Sequence, residues 1–269
     1  MPQEIVWVWA AVALYAATAS LAIAGVARNQ LREKLVLGLL VVGASLMAAG
    51  IAQRWARIGH GPFFSMYEVL TSNIFSLSVV FAVAYWRLPV LRAAVAVVLP
   101  VLLLMGCWLL VANPVDTHFP PTYATPWLWI HLSAGKLFLG TTLVAVGVAG
   151  VTLLRRTRLG PWFARMPQEA MLDELTWRLM MVALTFESFM LIAGAVWAQD
   201  AWGRYWSWDP LETWAFLTWL TLVGAIHLRV SYRIAPRVGA ALVLTVFVLA
   251  FLTFFGVPFL SMTPHKGAV

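Results

Sequence analysis

Cysteine is nearly missing from this chain: of 269 residues only Cys107 is one, and it stands in an apolar run where it reads as buried. The chain therefore has no thiol pair of its own for redox work. Charge is also scarce, at 11% of residues, well under the roughly 25% usual in soluble domains. Internal repeats and low-complexity tracts are absent. The longest polar connector runs from Arg155 to Arg178, about 24 residues, too short for a soluble domain that could stand alone. No basic n-region precedes the first apolar run, which follows MPQE, so that run reads as a membrane span rather than a cleaved signal peptide. These absences point away from a soluble globular protein.

Apolar residues fill the space that charge leaves, at 62% of the chain. Runs of about 20 such residues cross the hydrocarbon core as helices, because only there does the backbone satisfy its own polar groups. Eight candidates are found, near residues 5–27, 35–53, 69–86, 90–111, 127–154, 179–198, 213–230 and 238–262. The expected fold class is an all-α integral membrane protein of about eight transmembrane helices, a single polytopic domain over 1–269. With the N-terminus outside, thirteen Lys and Arg fall on inner loops and four on outer segments (Arg54, Arg57, Arg204 and Lys266). That bias follows the positive-inside rule and places both termini on the outer side. It also accounts for the net charge of +7 without any nucleic-acid partner.

Between spans six and seven, on the expected outer side, lies WAQDAWGRYWSWDPLETW (197–214), five of whose residues are tryptophan. Trp202 and Trp206 are four apart and would share a face on a helix or helical turn. Trp208-Asp209-Pro210 breaks that turn, Pro210 suits the start of the next helix, and Glu212 is favourable in its first turn. Gly203 permits a close approach to the backbone. An aromatic belt plus a helix cap is one account; the density and spacing also suit a platform for a large planar apolar ligand.

WGRYWSWDPLETW resembles the Trp-rich "WWD" signature of haem-handling proteins in cytochrome c maturation. The form with Trp-Asp-Pro-x-Glu-Thr-Trp is most similar to the CcsA (ResC) family of System II and to CcmF-type proteins. GAVWAQDAWG before it, TWAFLTWL after it, and HGPFFSMYE (60–68) also look like CcsA. The resemblance implies an outer haem b site with a histidine on each side of the Trp segment. Here those are His131, in PWLWIHLSAG, and His265, in SMTPHKGAV. Trp202, Trp206, Trp208 and Asp209 would contact the macrocycle. It further implies that His227, about 20 Å inward of Thr213 along its helix, is a transmembrane haem ligand whose site is completed by a CcsB/ResB-like membrane partner. Without the resemblance each histidine also reads as an ordinary hydrogen-bonded or interfacial residue. His60 and His118 lie in outer loops, His118 as a solvated residue. Lys136 and Glu187, roughly 14 and 16 Å deep in consecutive spans, suggest an intramembrane ion pair, because either charge alone is costly there.

The function implied is haem presentation for covalent attachment to apocytochrome c, as the CcsA component of a cytochrome c synthase rather than a stand-alone enzyme. Thioredoxin-like proteins would supply thiol reduction. The membrane implied is the inner (plasma) membrane, or a thylakoid membrane in a plastid. Two rivals stand beside it: a CcmC-like haem chaperone or haem-binding regulator, and a transporter or assembly subunit that uses Trp only as anchors.

Overall fold

The computed structural model describes residues 2–257. His265, Lys266 and the end of the expected eighth span lie outside the described residues. Among the described residues, eight helical stretches are long and apolar enough to cross a membrane: α1 (Gln3–Ala27), α2 (Glu33–Ile58), α3 (Met66–Arg87), α4 (Val95–Val111, entered by a 3₁₀ turn Pro89–Ala94), α5 (Pro126–Leu154), α6 (Glu169–Trp202), α7 (Pro210–Ser231) and α8 (Pro236–Phe251) with the turn that follows it. α8 continues as a π-helical turn, Leu252–Gly256. No strand occurs among the described residues. The protein is thus an all-α, multi-pass membrane protein, as its hydropathy predicts.

The helices group into two compact units. One holds the residues up to Phe119 with Gly150–Gln168; the other holds Pro120–Ala149 and the described residues from Glu169 on.

In the first unit an ionic cluster gathers at one end of α1, α2 and α3. Arg54, 2% exposed, donates through Nε (3.0 Å) and Nη2 (2.7 Å) to Oε1 of the fully buried Glu68, and to the carbonyls of Pro114 and Val115. Arg57 bridges Glu4 and Asp116. Its guanidinium holds the exposed Asp116 carboxyl below the usual carboxylate range. Glu68 also closes a capping box with Ser65 at the start of α3. These pairs explain why α2 runs to Ile58 instead of stopping at residue 53: Arg54 and Arg57, expected on an outer loop, are helical residues held by carboxylates. His60 is hydrogen-bonded at both ring nitrogens, to the carbonyls of Gly61 and Thr117 (both 2.8 Å), and stacks on Phe119. It serves the packing of this loop. Deeper in the unit, Tyr15 donates to Ser78 at 2.8 Å. At the other end Arg155 donates to the carbonyls of Phe163, Met166 and Pro167 and so folds the connector after α5 back on itself.

Two expectations fail here. The 155–178 connector is not polar loop throughout, because its second half is the first ten residues of α6. Leu172, Thr176, Trp177 and Met180 recur at helical spacing and are buried, and Asp173 pairs with Arg229 of α7 at 2.8 Å. A run too polar to register as a span thus continues as helix beyond it. Cys107 is exposed on α4 rather than buried; in a span an apolar neighbourhood includes the lipid-facing side.

In the second unit α6 meets α7 through Trp219, whose indole donates to Ser188 Oγ at 2.9 Å. Thr218 of α7 and Thr253 of the π turn lie within hydrogen-bond distance, 3.2 Å apart.

Candidate haem-binding site

The Trp-rich segment is mostly not helix. α6 ends at Trp202, Gly203 turns the chain at φ +78°, and residues 204–209 run without helical structure until Pro210 opens α7. Trp202 and Trp206 therefore do not share a helical face, and that expectation is corrected. Four-residue spacing implies a common face only while the helix lasts, and the left-handed turn that glycine permits ends it.

Two aromatic groups result. Trp202 packs edge-on against Trp197 and Tyr123, with centroids at 4.9 and 6.0 Å, and Trp197 meets Tyr123 at 5.2 Å. The Trp197 indole donates to the Tyr123 carbonyl at 3.3 Å, and desolvation raises the Tyr123 phenol above its ordinary pKa. Trp206, Trp208 and Phe216 form the second group, all edge-on at 5.7–6.2 Å. Edge-to-face rings interlock instead of sliding, so each group is a firm wall.

Glu212 ties the loop down. Its Oε2 accepts from the backbone N–H of Ser207 (2.7 Å) and of Asp209 (3.3 Å), while Asp209 Oδ1 accepts the Glu212 N–H at 2.9 Å. Asp209 is thus the N-cap of a capping box with Pro210 at the first helical position, which gives Asp209 a structural task. Between these bonds Trp208 is held at φ +58°, unusual for a bulky side chain, and the residue is 66% exposed. Backbone strain of this kind collects where a side chain must be presented. Asp209→Ala is expected to lower the stability of the helix start by about 1 kcal/mol and to loosen Trp208. Thermal unfolding and the near-ultraviolet circular dichroism of the indoles check both.

His131 sits one turn into α5. Its Nδ1 lies 2.8 Å from the Met190 carbonyl oxygen, which can only accept, so Nδ1 carries a proton and in the neutral imidazole the lone pair is on Nε2. The ring stacks on Trp197 at 6.1 Å and 13°. It reaches the α6 backbone because residue 194 is glycine: a Cβ there would fall 2.7 Å from Nδ1. Imidazole ligands to metals are oriented in this way, by a second hydrogen bond that fixes tautomer and ring plane. Gly194 and Met190 are contributors that sequence patterning missed, since nothing marks a residue whose role is a missing methyl group or a main-chain oxygen.

His227 lies on the exposed side of α7 near its end, two residues before Arg229. The Lys136–Glu187 pair is not formed. Glu187 is fully buried and neither of its oxygens has a hydrogen-bond partner among the described residues. Equal depth in two helices does not decide which way each side chain points around its axis.

Do these residues suit a haem? The His131 tautomer leaves Nε2 as the donor that iron requires. The buried Trp206 indole N–H has no acceptor among the described residues, a need that a propionate oxygen would meet. The residues fit.

A family model described as "Cytochrome C assembly protein" matches residues 5–265. "Cytochrome c biogenesis protein CcsA" of Prochlorococcus marinus is 28% identical over 243 residues, covering 79% of this chain and 78% of that protein. The protein of the same name from Synechocystis sp. is 25% identical and covers 85% and 86%; that of Phalaenopsis aphrodite subsp. formosana is 26% identical and covers 88% of each. A solved structure, "Cytochrome c Heme Lyase CcmF", superposes with a TM-score of 0.72 at 18% identity. It covers 94% of this chain, and the chain spans 46% of its length. That likeness concerns the fold.

Proposed function

Since the chain belongs to the cytochrome c assembly protein family, we propose that it presents haem b on the outer side of the membrane for attachment to apocytochrome c, as the CcsA-like part of a complex with a CcsB/ResB-like partner. The observation that carries this reading is His131. Its tautomer is set by the Met190 carbonyl and its plane by Trp197, beside a loop built to expose tryptophan.

Each group then has a task. His131, through Nε2, and His265 are the residues that would hold the haem iron. Trp202, Trp206 and Trp208 bound the macrocycle, and Asp209 and Glu212 keep the loop in shape beneath it. Bound haem supplies the vinyl groups to which the apocytochrome thiols add. The chain contributes position, which raises the effective concentration of two reactants without reacting itself. With Cys107 as the one cysteine, thiol reduction falls to thioredoxin-like proteins. The positive-inside count supports an outer position for the Trp segment. His227, exposed on α7, is proposed as an inner haem ligand paired with a ligand from the partner, and an exposed intramembrane histidine suits such a shared site.

The test is a spectrum. Co-purified with a CcsB-like partner, the chain is expected to be red with bis-histidine Soret and α bands. His131→Ala is expected to lose the outer haem and to regain it when imidazole is added. A colourless wild-type complex, or a His131→Ala protein with unchanged haem content, would sink the proposal.

A further inference from the structure

We propose that Glu187 is a proton-binding site inside the membrane-spanning part of α6, a carboxylic acid rather than a carboxylate. The proposal is separate from the haem reading and rests on what surrounds this side chain. Glu187 is fully buried, and neither oxygen has a hydrogen-bond partner among the described residues. It shares an α6 face with the buried Ala183 and Met190.

The hydroxyls of Ser188, Thr218 and Thr253, on α6, α7 and the π turn, have partners of their own. Ser188 donates to the Leu184 carbonyl (2.8 Å) and accepts from the Trp219 indole. The Thr218 hydroxyl bonds to the Trp214 carbonyl (2.8 Å) and that of Thr253 to the Leu249 carbonyl (2.9 Å). The titratable residues of the neighbouring helices are few. α5 carries His131 and Lys136; α7 carries Glu212 at its start and His227 and Arg229 near its end; the described part of α8 carries Arg237 in its first turn. None of them donates a hydrogen bond to Glu187. His131 Nδ1 is committed to Met190, Glu212 is the capping residue, and Arg229 pairs with Asp173.

Among the described residues an anion so placed would have no hydrogen-bond donor. The same carboxyl with its proton carries no net charge, so its burial costs far less. The proton is therefore the ligand that makes Glu187 compatible with its site. A carboxylic acid in this setting also adds across the C=N bond of an apolar carbodiimide: its oxygen bonds to carbon, its proton goes to nitrogen, and nothing leaves.

The experiment uses the full chain in lipid nanodiscs. The infrared spectrum of wild type minus Glu187→Gln at neutral pH is expected to contain the C=O stretch of a protonated carboxyl. Peptide mass spectrometry is expected to find one equivalent of dicyclohexylcarbodiimide on the peptide with Glu187, and none in Glu187→Gln. Because glutamine is neutral and of the same shape, that variant is expected to unfold at the wild-type temperature. Carboxylate stretches in place of the C=O band would overturn the proposal. So would a Glu187→Gln chain that unfolds at markedly lower temperature, since a buried anion with a hidden partner would then be the native state. A colourless protein would remove the haem reading and leave both measurements as they are.

Discussion

Gly194→Ala is expected to strip most of the haem proposed to bind at His131 from a chain that still folds. The new methyl carbon would lie 2.7 Å from His131 Nδ1 and 2.9 Å from Cε1, well inside van der Waals contact. The imidazole must swing away, and its bond to the Met190 carbonyl is lost with it. Removing the group that orients a metal ligand costs about 10–100-fold in affinity. Haem occupancy, read as Soret absorbance per protein, is expected to fall by about that factor at limiting haem. Added imidazole is expected to restore it, because the missing element is an aligned ligand. Gly224→Ala is the control: nothing lies within 4 Å of a Cβ there, and the spectrum is expected to be unchanged. Equal loss in both variants would show a general response of the bundle to a larger residue.

The largest effect on stability is expected from Arg54→Ala. Its guanidinium bonds to Glu68 twice and to the carbonyls of Pro114 and Val115, with both charged residues buried. Alanine leaves the fully buried Glu68 carboxylate without its counter-ion. Breaking one side of such a pair costs about 3–5 kcal/mol, whereas replacing both sides by apolar residues of similar volume is often neutral. Thermal unfolding in detergent is therefore expected to drop sharply for Arg54→Ala and to recover in large part in Arg54→Met with Glu68→Leu. A double variant no better than the single one would show that the bonds to the 112–117 segment, rather than the stranded charge, hold this end together. The haem spectrum of both variants is expected to follow only the fraction folded.

Much of the site is legible in the residues themselves. The run Asp209-Pro210-Leu211-Glu212 spells a helix start, and α7 begins there, closed in the structure by a capping box. The resemblance of WGRYWSWDPLETW to CcsA proteins is matched by relatives of that name over most of the chain. The arrangement of the tryptophans was not legible, because Gly203 ends α6 and helical spacing loses its meaning one residue after Trp202. Lys136 and Glu187 were read as a pair from depth alone, and the rotation of each helix about its axis left Glu187 without its partner.

By itself the sequence determined eight spans and the family, because hydrocarbon admits only helices with internally satisfied backbones and a dense motif needs no context to be distinctive. Only the tertiary structure decided that His131 donates to Met190, that Gly194 makes room for it, that Arg54 and Glu68 pair across two helices, and that Glu187 has no hydrogen-bond partner among the described residues. Each of these depends on which helix faces meet. Nearly uniform hydrophobicity around a membrane helix carries no record of that choice.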